Sequence, residues 1–147
     1  MSSIFSEQAP EPVGSYPHAK TVGNLLFLSG VGPRKKGSND IPGVTLDGSG
    51  NILSYDITIQ CHAVFENVKI ILEASGSRWE NLVDVTVFLT DMKKDFQTFN
   101  SIYKLYFTEN QPCRTTIEVN ALPTPIAIEL KCIATIGGSE GLRKGKD

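Results

Sequence analysis

The chain has 147 residues, 40% hydrophobic and 20% charged, which excludes disordered, collagen-like and membrane-spanning classes and leaves room for one compact domain. A net charge of −2 offers no basic field for neutralising phosphates, so nucleic acid is excluded as a partner. Cys61, Cys113 and Cys132 have no short paired spacing, and neither an apolar leader nor an apolar run of membrane-spanning length is present. A soluble cytoplasmic protein with no membrane partner is expected.

In chain order, residues 1–12 are rich in Pro, Ser and Glu and read as a flexible N-terminus, with the domain proper at 13–136 and a flexible tail at 137–147. Lys20 to Val22 and Leu25 to Val31 are apolar runs split by Gly23-Asn24, which predicts a two-strand hairpin. Arg34 to Asn51 carries several glycines and Pro42, so it reads as a long loop with a second small hairpin at Asp47-Gly48-Ser49-Gly50. Its Arg34, Lys35 and Lys36 are the one local basic cluster, read first as a solvated loop.

From Ile57, apolar residues recur at three- and four-residue intervals through Cys61, Val64, Phe65, Val68, Ile71 and Leu72, which predicts an amphipathic helix capped by Asp56 and ended by Gly76. Leu82 to Thr90 switches to period two, with Val83, Val85, Val87 and Leu89 on one side. A second helix presents Phe96, Phe99, Ile102, Tyr103, Tyr106 and Phe107 and stops before Pro112. Two alternating strands follow, Arg114 to Val119 and Ile126 to Ile136. The fold class expected is α+β, a single mixed sheet with two helices packed on one face. The other face is expected to hold Arg114 and Glu129 together. It also carries Phe88 and Ile133, so self-association is expected there.

No HExxH, CxxC, GxSxG or Walker loop occurs, so metal and phosphate chemistry have little support. Gly30-Val31-Gly32 is followed by Pro33 and reads as a strand end. Of the two imidazoles, His62 borders the helix stripe and reads as a packed or surface side chain, whereas His18 is more open. Arg114 and Glu129 fit two descriptions: a cross-strand salt bridge, or a guanidinium that grips a carboxylate beside a partly buried general base. Cys113, with no histidine near it in sequence, reads as an inert thiol.

Taken together, GSYPHA at 14–19, GNLLFLSG at 23–30, ENVKIILEASG at 66–76, VTVFLTDM at 85–92, PCRTTIEVNALP at 112–123 and IELKCIA at 128–134 resemble the YjgF/RidA family of reactive-intermediate deaminases. The resemblance runs from about Pro12 to Ile136 and implies a homotrimer of chorismate-mutase-like fold, alone or paired into a hexamer, with sites between subunits. It implies that Arg114 binds the substrate carboxylate and that Glu129 positions or activates water. Tyr16, Ser29, Gly30 and Asn100 match cleft-lining positions, and Thr116 stands where many relatives have cysteine. No cofactor and no metal are implied.

GSYPHA, where general imine deaminases usually have GPYSQA, and the long 34–51 loop both look like the 2-aminomuconate deaminase branch. That branch converts 2-aminomuconate to 4-oxalocrotonate (2-oxohex-3-enedioate) and ammonia in aromatic-compound degradation. Such a dicarboxylate needs a second contact, for which His18 or the Arg34, Lys35, Lys36 loop is the candidate. A general deaminase of 2-iminobutanoate or 2-iminopropanoate and a non-catalytic metabolite-binding trimer are the alternatives.

Overall fold

The structure, a computed structural model, describes residues 1–38 and 40–137, so the tail from 138 onward lies outside it. In chain order the elements are β1 (Ser2–Ile4), β2 (Ala19–Val22), β3 (Leu25–Leu28), β4 (Val44–Leu46), β5 (Ile52–Tyr55), α1 (Ile57–Ala74), β6 (Leu82–Leu89), α2 (Met92–Tyr106), β7 (Cys113–Glu118) and β8 (Ile128–Thr135). Six strands form one sheet in the order β1-β2-β3-β8-β6-β7, and β4 and β5 form the separate hairpin expected within the long loop. Neighbours in the large sheet are antiparallel except β6 and β7, which run parallel because α2 carries the chain back between them.

Both helices pack on one sheet face, as the alternation predicts. The Asp56 carboxylate caps α1 by accepting from the Thr58 and Ile59 amides at 2.9 and 3.3 Å, a motif worth about 1 kcal/mol. Val64, Phe65, Val68 and Leu72 of α1 are fully buried against Val85, Val87 and Leu89 of β6 and Leu130, Cys132 and Ala134 of β8. Phe65 lies at the centre of an aromatic cluster with Trp79, Tyr103, Tyr106 and Phe107, which ties α1 to α2. No helix among the described residues is long and apolar enough to cross a membrane.

Three expectations are corrected. The N-terminal segment is ordered: β1 pairs with β2, Ala9 is fully buried, and Ser6 is nearly so. Backbone pairing and a buried imidazole, described below, hold a segment whose composition signalled only polarity. Val83 faces away from the core, 44% exposed, because a register shift between Leu82 and Asp84 breaks the alternation at the start of β6.

The sheet faces, too, differ from the expectation. Arg114 stands opposite Val85, which in turn pairs with Cys132, so the arginine is on the helix-covered face. Glu129 pairs with Phe88, which pairs with Ile117, and these three share the open face. Within one protomer the sheet therefore separates Arg114 from Glu129. The open face is substantially apolar: Phe27, Phe88 and Ile133 are half-buried and Ile117 is 39% exposed.

Candidate active site

Glu129 is the second residue of β8, on the open face. Reciprocal amide–carbonyl bonds between Val31 and Leu130, 2.8 and 2.9 Å, draw the chain after β3 alongside it. Gly30 makes that approach feasible. A Cβ there would lie 2.0 Å from Glu129 Oε1 and 3.0 Å from Cδ, so the missing side chain is the space the carboxylate fills. Tyr16, Ser29, Gly30, Arg34, Glu129 and Lys131 line a cleft of about 300 Å³, together with Pro123, Thr124 and Ile126.

Polar contacts fix this cleft. Ser29 Oγ donates to the Pro17 carbonyl at 2.7 Å, and the Tyr16 hydroxyl accepts from the Val13 amide at 3.2 Å. The Lys131 ammonium donates to the Leu28 carbonyl. Burial raises the Glu129 carboxyl above the usual carboxylate range, and the positive charge of Arg34 works against that rise. A glutamate of increased basicity in a half-enclosed cleft is suited to taking a proton from water and returning it to a leaving group.

Arg114 belongs to a second surface. Its guanidinium lies over the rings of Tyr103, Phe99 and Phe96, with centroid distances of 4.7, 5.4 and 5.9 Å, and donates to Asn100 Oδ1 at 2.8 Å. The aromatic shelf of α2 explains why a charged residue is accommodated on the helix side of an edge strand. Asn100, Tyr103, Lys104, Phe107, Gln111, Pro112 and Arg114 border a cleft of about 370 Å³. Tyr103 Oη is buried there without a hydrogen-bond partner among the described residues, and burial pushes the phenol up to about 12.

The expected site residues thus fall into two groups. Tyr16, Ser29, Gly30 and Glu129 come together in one cleft, while Asn100 and Arg114 form the other. Thr116 faces the helix layer opposite Val87, its Oγ1 buried and unpartnered, and lines neither cleft. His18 is not open but 6% exposed. Its Nδ1 accepts from the Ser6 amide at 3.0 Å and its Nε2 donates to the Pro10 carbonyl at 2.7 Å. Both ring nitrogens are consumed in anchoring the N-terminal segment, which leaves His18 no contact to offer a substrate. Of the basic cluster, Arg34 enters the Glu129 cleft, whereas Lys35 and Lys36 do not.

Sequence reasoning missed Lys131 and Asn67. Lys131 carried a signal, two residues from Glu129 on the same strand face. Asn67, 8% exposed on α1, donates through Nδ2 to the carbonyls of Gly32 and Arg34, both at 2.8 Å, and nothing in the helix pattern marked it. The cysteines are free; burial pushes Cys61 and Cys132 up to about 12, and Cys113 is exposed.

Comparison with known proteins shows the family. A family model described as Endoribonuclease L-PSP matches residues 6–136. A RutC family protein of Pyrococcus horikoshii is 40% identical over 134 residues, 89% of this chain and 94% of the relative. Reactive Intermediate Deaminase A, chloroplastic, of Arabidopsis thaliana is 38% identical over 133 residues, 90% of this chain and 65% of that protein. Among solved structures, the YjgF gene product of E. coli superposes with a TM-score of 0.78 at 32% identity, covering 92% of this chain and 98% of its own. With the match spanning both helices, both clefts and every strand of the sheet but β1, the chain belongs to the YjgF/RidA family, the one described as Endoribonuclease L-PSP.

Proposed function

We propose that the protein is a hydrolytic deaminase of acidic enamines and imines, and that 2-aminomuconate is its substrate. The observation that carries this reading is Glu129, half-buried against the bare backbone of Gly30 with its carboxyl held above the usual range. The similarity to a protein named Reactive Intermediate Deaminase A supports the deaminase class. The endoribonuclease description of the family model finds less support here, because a net charge of −2 provides little for an RNA backbone.

The enamine first tautomerises to its imine, moving a proton from nitrogen to carbon. Water then adds to the C=N carbon: Glu129 takes one water proton, the C–O bond forms, and the electron pair of the C=N bond moves to nitrogen. Glu129 returns the proton to that nitrogen. As the resulting carbinolamine collapses, Glu129 carries its hydroxyl proton to the nitrogen, the C=O bond forms and the C–N bond breaks, so that ammonia departs and a 2-oxo acid remains. No cofactor enters this sequence. Orientation of carboxylate and water supplies much of the rate, and proton transfer at Glu129 the rest.

Arg114 is the proposed anchor for the carboxylate beside the reacting carbon, through two parallel hydrogen bonds. Because the sheet separates it from Glu129, the two serve one substrate only when a neighbouring protomer brings its β7 edge and α2 against the first protomer's open face. The apolar side chains of that face support self-association, which we assign as a homotrimer.

Ammonia release from 2-aminomuconate generated in situ tests the proposal, with 2-iminobutanoate in parallel and spontaneous decay subtracted. Turnover of 2-aminomuconate that Arg114→Ala and Glu129→Gln both abolish is expected. Activity confined to 2-iminobutanoate would place the protein with general imine deaminases, a reading favoured by its plant relative. Activity on neither would sink the enzyme reading in favour of a metabolite-binding trimer.

A further inference from the structure

The Glu129 cleft holds more positive charge than one carboxylate at the reacting carbon requires. Arg34 and Lys131 both line it, although Arg114 lies on the other cleft. Arg34 has one N–H committed, donated by Nη2 to the Glu11 carbonyl at 2.6 Å, and it is half-buried. Among the described residues the ion pairs are Lys36–Glu11 and Arg78–Glu80, so Arg34 has no carboxylate partner although it shares a cleft with Glu129. A guanidinium in that position has donors left for an anion entering the cleft.

Its backbone carbonyl is hydrogen-bonded from α1. The Asn67 amide, nearly buried on α1, donates to the carbonyls on both sides of Pro33, those of Gly32 and Arg34. Pro33 is itself buried and fixes its own φ. Such clamping reduces the entropy lost when Arg34 closes on a ligand. Lys35, the next residue, has no such clamp and is exposed.

We infer that Arg34 is the specificity-determining contact for a second anionic group of the substrate, with Asn67 as its positioning residue. The inference rests on the deaminase reading above and names the side chain that selects dicarboxylic over monocarboxylic enamines and imines. His18, the other candidate for that contact, is spoken for by the backbone of Ser6 and Pro10. A second consequence concerns the base. In the empty site the charge of Arg34 opposes protonation of Glu129, and a substrate carboxylate on Arg34 cancels that charge. Glu129 is then a stronger base when the correct substrate is bound than when the site is empty.

The test compares wild type, Arg34→Gln, Arg34→Lys and Asn67→Ala on 2-aminomuconate and 2-iminobutanoate. The ratio of kcat/KM for dicarboxylate over monocarboxylate is expected to fall roughly 10- to 100-fold in Arg34→Gln, the range of a lost hydrogen bond to a charged group, and to recover partly in Arg34→Lys. Asn67→Ala should lower the same ratio, mainly through KM for the dicarboxylate. The acid limb of kcat/KM should move to higher pH in Arg34→Gln, because the charge opposing protonation of Glu129 is gone. An unchanged ratio in Arg34→Gln would overturn the inference. Calorimetric binding of hexanedioate against hexanoate separates this outcome from failure of the deaminase reading: an inactive protein that still prefers hexanedioate through Arg34 loses the activity but keeps the contact, whereas an active one without that preference loses the contact alone.

Discussion

Adding one methyl group at Gly30 should switch the protein off while leaving it folded. The new Cβ would stand 2.0 Å from Glu129 Oε1, against a non-bonded separation of about 3.5 Å, so the carboxylate must retreat by about 1 to 1.5 Å. The clashing atom is the end of a flexible side chain, and Gly30 does not have a positive φ. Folding therefore loses only the cost of a poorer Glu129 rotamer, about 0.5 to 1.5 kcal/mol, partly offset by the stiffer unfolded chain. A melting shift of no more than about 8 °C is expected. Catalysis is less tolerant, since a misplacement of about 1 Å can cost about 100-fold in rate. Gly30→Ala should thus lose about 100-fold in kcat for ammonia release, and adding Glu129→Asp, one methylene shorter, should restore part of it. Wild-type kcat in Gly30→Ala would refute the reasoning. So would gross destabilisation, which would mean that the backbone rather than the carboxylate absorbs the clash.

Two further predictions concern stability. Because burial raises the Glu129 carboxyl in the folded protein, the native state binds that proton more tightly than the unfolded chain, and stability falls as pH rises from the ordinary carboxylate value through the raised one. Glu129→Gln should therefore melt higher than wild type at neutral pH, with the advantage fading as pH drops below the ordinary carboxylate range; thermal melts between pH 4 and 8 would show it, and a lower melting point at neutral pH would contradict it. Tyr55→Phe removes the hydroxyl that donates at 2.5 Å to Asp95, a carboxylate only 1% exposed, and should cost about 1 to 3 kcal/mol in urea unfolding. A loss below about 0.5 kcal/mol would mean that the β4–β5 hairpin is not held to α2 through this contact.

Much of this architecture is legible in the residues because periodicity and burial agree. The three- and four-residue spacing of α1, its Asp56 cap and the alternation of β8 each name a buried face, and the structure buries it. Local rules fail where a tertiary partner outweighs polarity. In β7 the alternation of Arg114, Thr116 and Glu118 with Thr115, Ile117 and Val119 suggests that the charged set faces solvent. The aromatic surface of α2 instead receives the arginine, and Ile117 is left on the open face. Asp95 occupies a buried position on α2 that its charge disguises, because its donor, Tyr55, is 40 residues away. His18 read as open for the same kind of reason: the carbonyl and amide that hold it come from a segment whose composition signals only exposure. For the site, the motif blocks point to Glu129, Gly30 and Arg114, but the division of these residues between two faces depends on strand register.

The central claim is that Glu129 of one protomer and Arg114 of another complete a single site. Arg114→Ala and Glu129→Gln protomers, each inactive alone, can be unfolded together, reassembled in equal amounts and assayed for ammonia release. If every site draws the two residues from different protomers of a closed ring, about one quarter of the sites regain both, so about a quarter of wild-type activity should return. If both residues act from the same protomer, no mixed assembly contains an intact site, and a mixture as inactive as its parents would contradict the account.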